Sequence, residues 1–131
     1  MKFMLMMNAP RGAGDYQINN WTPDELKAHM GFMHRLNKEL IDAGERIGAE
    51  GLAPPGQAKL VKASKNGGPP VTDGVFPEAK EFLAGFWIVE VESAERAYEI
   101  AAKASTAPGP GGKPLFMPIE VRQVLSGPPQ I

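Results

Sequence analysis

The stretch Gly85-Phe-Trp-Ile-Val-Glu-Val-Glu92 constrains the fold more than any other part of the chain, because Phe86 to Val89 is an unbroken apolar run. Side chains on a strand point alternately to its two faces, so a strand that does not alternate is covered on both of them. The chain offers two helices as cover. Thr22-Pro23-Asp24-Glu25 is a helix start: Thr22 caps, Pro23 fits the first helical position, and Glu25 reaches back to the cap amide. This helix is expected to run to Ala43, with Gly44 ending it. Leu26, Met30, Met33, Asn37 and Leu40 form its inner stripe, with Ile41 and Leu36 on the two sides. Ser93 caps the second helix, Ala94 to about Lys103, whose Ala94, Ala97, Ala101 and Ala104 let it lie close to a sheet, with Tyr98 adding area.

Strands are expected over Lys2 to Met7, Arg46 to Leu52, Ala58 to Ala63 and Met117 to Val124. Asn66-Gly67-Gly68 turns the third of these back toward Pro70-Val71-Thr72, giving a hairpin that ends at Asp73. Ala9 to Asn20 and Ser105 to Lys113 read as loops, and residues 125–131 as a loose tail. With 131 residues the chain makes one domain with a real core. The order β-α-β, hairpin, β-α-β defines an α+β domain, a split β-α-β arrangement of ferredoxin-like type. Two helices cover one face of its sheet. A second copy closing the other face would give a dimeric α/β barrel, and with it a cavity at the sheet.

Composition excludes several partners. Net charge is −1, with 14 basic and 15 acidic side chains well mixed, so no basic face is available for nucleic acid. No cysteine is present, which removes disulfides, thiolate ligands and cysteine nucleophiles together. The apolar run in MKFMLMMN is too short for a signal peptide, and none reaches the roughly 20 residues of a membrane helix. A soluble, cytoplasmic protein is expected.

Asp73 precedes Gly74, and Asp-Gly is first of all turn chemistry. The same carboxylate at a pocket edge is also a candidate catalytic general base. Glu78, Lys80 and Glu81 are an ordinary solvated set in one reading; in the other they hang over a pocket, with Phe76 and Phe82 as anchors, so that Phe76, Glu78 and Lys80 contact a ligand. His29 and His34, five apart, do not stack on one helix face as an i, i+4 metal pair would, and no metal site is expected. In Ile119-Glu120-Val121-Arg122, alternation puts Glu120 and Arg122 on the face away from the helices, either as a salt bridge or as an anion-reading Arg122 held by Glu120. No nucleophile elbow, Walker loop, dinucleotide fingerprint or zinc spacing occurs, and no cofactor is expected.

Val71-Thr72-Asp73-Gly74-Val75-Phe76-Pro77-Glu78-Ala79-Lys80-Glu81 resembles the signature of YCII-related proteins of the DGPF type. Gly85 to Ile88, Glu120-Val121-Arg122 and Ala49-Glu50-Gly51-Leu52 before Pro54-Pro55 extend the resemblance over nearly the whole chain; Val75 stands where Pro is usual. The resemblance implies the same ferredoxin-like domain paired into a dimeric α/β barrel. It also implies a largely uncharacterised activity: a His-Asp enzyme site is proposed in some shorter members, and DGPF-type relatives often occur beside or fused to sigma factors. The expectation is therefore a small homodimer with a small-molecule or enzymatic pocket centred on Asp73. The alternative is a non-catalytic accessory protein that contacts a sigma factor.

Overall fold

The computed structural model describes residues 1–10, 20–74 and 81–127. In chain order it contains β1 (Lys2–Pro10), α1 (Pro23–Asp42), β2 (Arg46–Gly51), β3 (Lys59–Lys62), β4 (Val71–Gly74), β5 (Glu81–Glu90), α2 (Ala94–Ser105) and β6 (Ile119–Gln123). Four strands form one antiparallel sheet in the order β2-β5-β1-β6, and β3 and β4 form a separate antiparallel hairpin. In each β-α-β unit one strand of the other unit lies between the two, an α+β plan compatible with a ferredoxin-like fold. No described helix is long and apolar enough to cross a membrane.

The helix ends follow local chemistry. Thr22 Oγ1 accepts the Glu25 N–H at 3.2 Å, and Glu25 Oε1 accepts the Thr22 N–H at 2.9 Å, closing the capping box read from the sequence. After the C-cap at Ala43, Gly44 takes φ +71°, a left-handed conformation that stops the helix at little cost to glycine. Ser93 Oγ accepts the Arg96 N–H at 3.2 Å and starts α2.

The core lies between the sheet and the two helices. Phe3, Leu5, Met7 and Ala9 of β1 and Trp87 and Val89 of β5 point into it, against Leu36 and Leu40 of α1 and Ala97, Ile100, Ala101 and Ala104 of α2. The alanines permit close approach of α2, but Tyr98, expected to add buried area, is 55% exposed. On α1 the packed row is turned from the expected stripe: His29, Leu36 and Leu40 are buried, while Met30 and Ile41 are exposed. The reason is tertiary, since Met30 and Asn37 border an open cleft.

β1 is three residues longer than expected, because past a bulge after Met7 its Asn8, Ala9 and Pro10 pair with Leu83, Phe82 and Glu81. β5 starts correspondingly earlier. Within β5 the apolar run divides between faces: Trp87 and Val89 are buried, whereas Phe86 and Ile88 are half-buried on the opposite face beside Met4 and Met6. Among the described residues that face carries no helix, as the sequence led us to expect.

A bidentate pair locks the far end of the sheet. Arg96 donates from Nε and Nη2 to the Glu45 carboxylate at 2.9 and 2.8 Å, tying α2 to the turn before β2, and from Nη1 to Glu99 at 3.1 Å. The guanidinium hydrogen bonds hold the Glu45 carboxyl below its usual range and raise the pKa of Arg96.

Candidate functional site

A cleft of about 260 Å³ lies between one face of α1 and the β2–β5 part of the sheet. From α1 come His29, Met30, Met33, His34 and Asn37, spaced so that they share one side of the helix. From the strands come Met7, Ala49, Glu50, Gly51 and residues 84–87. A wider depression of about 760 Å³ surrounds Glu45, Arg96 and Glu99, but those charges are already paired with one another. The cleft differs in keeping polar atoms unpaired: Trp87 Nε1 and Asn37 Oδ1 are both buried with no hydrogen-bond partner among the described residues. Most buried polar groups find a partner, so two orphans in the wall of one cleft require an explanation.

Local folding explains how His29 comes to face this space. The segment after α2 turns through Pro110–Gly112, closed by hydrogen bonds from Gly109 N–H to the Lys113 carbonyl and from Leu115 N–H to the Ala107 carbonyl, at 2.8 and 2.9 Å. It is fastened to α1 at two points. Glu25, already in the capping box, accepts the Gly111 N–H on its Oε2 at 2.6 Å, and His29 Nδ1 donates to the Pro108 carbonyl at 2.9 Å. These backbone donors hold the Glu25 carboxyl below its usual value, the Gly111 bond most of all. A carbonyl can only accept, so Nδ1 carries the hydrogen and Nε2 is the basic nitrogen of the ring. His29 is 3% exposed, and the Trp21 ring meets it edge-on at 5.2 Å. Burial pushes its pKa down, and the hydrogen bond to Pro108 opposes part of that shift.

Asp73, Glu120 and Arg122 do not line this cleft. Asp73 lies on β4 opposite Leu60, on the hairpin face that also carries Val71 and Lys62, and is exposed. Glu120 and Arg122 are exposed on β6, the edge strand. They stand opposite Met6 and Met4, on the face away from the helices as alternation requires, while Ile119 and Val121 pack against the core. Phe76, Glu78 and Lys80 lie outside the described residues. Among the described residues no group of three or more His, Asp or Glu side chains is placed to hold a metal ion.

The residues that line the cleft were not brought together by sequence reasoning. One signal for them was present: Asn37 is a polar side chain inside an otherwise apolar helical stripe, and such a position is either solvated or bonded to something not yet placed. Gly85 was another, since a glycine inside a strand often marks close approach of a second backbone.

The described residues form an antiparallel α+β domain with a cleft between α1 and the β2–β5 part of its sheet. The model of the YCII-related domain matches residues 1–109. The chain thus belongs to the YCII-related family. Comparison with curated proteins gives no match.

Proposed function

We propose that this YCII-related protein, of the DGPF type, binds a small molecule in the cleft between α1 and the β2–β5 part of the sheet, and works as a homodimer. The observation that carries the reading is the pair of buried, unpartnered polar atoms, Trp87 Nε1 and Asn37 Oδ1, in the wall of a mainly apolar cleft. The bare sheet face with Met4, Met6, Phe86 and Ile88 supports pairing of two copies in the manner of a dimeric α/β barrel. In that assembly Glu120 and Arg122 line the junction, and Asp73, set among Leu60 and Val71 on an exposed hairpin face, is the acid brought to the edge of a site.

The test is chemical-shift mapping with a set of soluble aromatic fragments, alongside sedimentation of the free protein. Shifts clustered at residues 29–37 and 84–87 support the cleft, whereas shifts confined to the β3–β4 hairpin move the site to Asp73. A monomer at tens of micromolar removes the pairing. A second reading, an accessory protein that contacts a sigma factor, is favoured by one observation: Leu60, Val61 and Val71 are 42, 62 and 43% exposed on a hairpin away from the sheet. If the dimer leaves that hairpin uncovered and no fragment enters the cleft, this reading replaces the first.

A further inference from the structure

The polar atoms of the cleft restrict what it accepts. Trp87 is 5% exposed, and its indole nitrogen is a donor only, so whatever satisfies it must offer a lone pair. Asn37 Oδ1 is an acceptor and must receive a hydrogen. Water does both, and so does a hydroxyl on a ligand that displaces it. Charge restricts the occupant further. Among the described residues that line the cleft there is no Lys or Arg. A carboxylate or phosphate entering it would lose its water with no cation in return, a cost that excludes anions from such a site.

Shape and softness supply the rest. Met7, Met30 and Met33 line the cleft together with Trp87 of β5, whose ring is on the same face of the sheet as Met7. Thioether sulfur packs well against aromatic rings, and unbranched Met side chains adjust to a flat guest. A volume of about 260 Å³ has room for one ring with substituents.

From these observations we infer that the cleft takes an uncharged, flat, largely apolar molecule bearing a hydroxyl, which accepts from Trp87 Nε1 and donates to Asn37 Oδ1. The inference rests on the cleft being the ligand site, and adds to it the chemical class of the ligand.

Three probes of one ring size separate the claims: phenol, toluene and benzoate. Each is titrated into the full chain while the indole Nε1–H signals are followed by NMR, with Trp87 assigned from Trp87→Phe and Trp21 as the second indole. Phenol is expected to move the Trp87 signal downfield and to bind about tenfold more tightly than toluene, the effect of hydrogen bonds to partners otherwise unpaired. Benzoate is expected not to saturate. In Asn37→Leu, which keeps the core residue Trp87, the preference of phenol over toluene should fall severalfold. Toluene binding as tightly as phenol, or benzoate binding more tightly, overturns the ligand class while leaving the cleft a binding site. If neither phenol nor toluene moves the Trp87 signal, the cleft reading falls, and this inference with it.

Discussion

Replacing Gly85 by alanine tests the wall of the cleft and the sheet together. Gly85 pairs with Met7 on one side and Gly51 on the other, and a methyl group built on it would meet the Glu50 carbonyl oxygen at 2.9 Å and the Gly51 Cα at 3.4 Å. Both are backbone atoms, held near β5 by the hydrogen bond from Leu52 N–H to the Ala84 carbonyl at 2.9 Å, so neither can swing aside as a side chain would. Forcing an extra carbon into a filled position typically costs about 1–3 kcal/mol. Alanine recovers about 0.4–1 kcal/mol through the reduced freedom of the unfolded chain. The net expectation is a loss of about 1–2 kcal/mol. For a chain of 131 residues this lowers Tm by roughly 4–8 °C, at about 4 °C per kcal/mol. Urea denaturation should show a lower midpoint at unchanged slope, the sign that stability rather than compactness has changed. Because Glu50, Gly51 and Gly85 all border the cleft, the displaced β2 should also weaken phenol binding. A variant as stable as the parent would show that β2 does not lie this close to β5, and would refute the geometry of the cleft wall.

Three other perturbations address separate parts of the molecule. Burial lowers the pKa of His29 below the open-chain value of 6.5, so the unfolded chain takes up that proton first as pH falls. Its contribution to stability is complete above about pH 6.5 and is lost as pH falls through the lower folded value; urea midpoints measured from pH 7.5 to 5 should decline, and the His29→Gln variant should flatten the decline. Glu25 and Glu45, lowered from 4.5, lose their contributions only in the more acidic range below that value. Arg96→Ala should cost about 1 kcal/mol in thermal unfolding at low salt and less at high salt, because a bidentate pair to a partly buried carboxylate is stronger than an exposed one and still screened. Asp73→Asn keeps the local hydrogen bonding of an exposed strand residue, so its stability should stay within about 0.5 kcal/mol of the parent. If this carboxylate serves a site, fragment binding to the dimer should weaken; unchanged binding removes Asp73 from it.

The parts of the fold legible in the sequence are those decided by neighbours in the chain. Thr22, Pro23, Glu25 and Ser93 announce helix starts through groups within a turn of one another. Asn66 and Gly67 announce the hairpin for the same reason: Asn66 Oδ1 accepts the Gly68 N–H, and Gly67 takes φ +77°. Alternation in Ile119 to Arg122 gave the right face for each side chain, because a single strand obeys a strict period of two. What could not be read was set by partners far along the chain. The extension of β1 to Pro10 exists only through its register with β5 across a bulge. The packed row of α1 turns toward His29 because the loop near Pro108 comes down on it, and a helical wheel contains no term for a loop nearly eighty residues later. The prominence of Asp73 came from its neighbours in the sequence, whereas the described lining of the cleft comes from α1, β1, β2 and β5 and does not include Asp73.

The cleft costs stability, and that cost points to a role in binding. A buried donor or acceptor without a partner is unfavourable by about 1–3 kcal/mol, against a total stability of about 5–15 kcal/mol for a domain. Leucine in place of Asn37 would remove the orphan acceptor, continue the apolar stripe toward Met33 and Leu40, and improve helix propensity. Nothing in the fold of the described residues requires Asn37 Oδ1, since no described group bonds to it. Proteins give up stability at sites where function needs an unsatisfied group, and recover it when that group is replaced. Asn37→Leu is therefore expected to raise the free energy of unfolding by about 1 kcal/mol while reducing the discrimination of phenol from toluene. Urea denaturation and the NMR titration read these two effects on the same sample. A variant that is less stable than the parent would mean that the amide supports the fold, and the functional explanation of its unpaired oxygen would have to be abandoned.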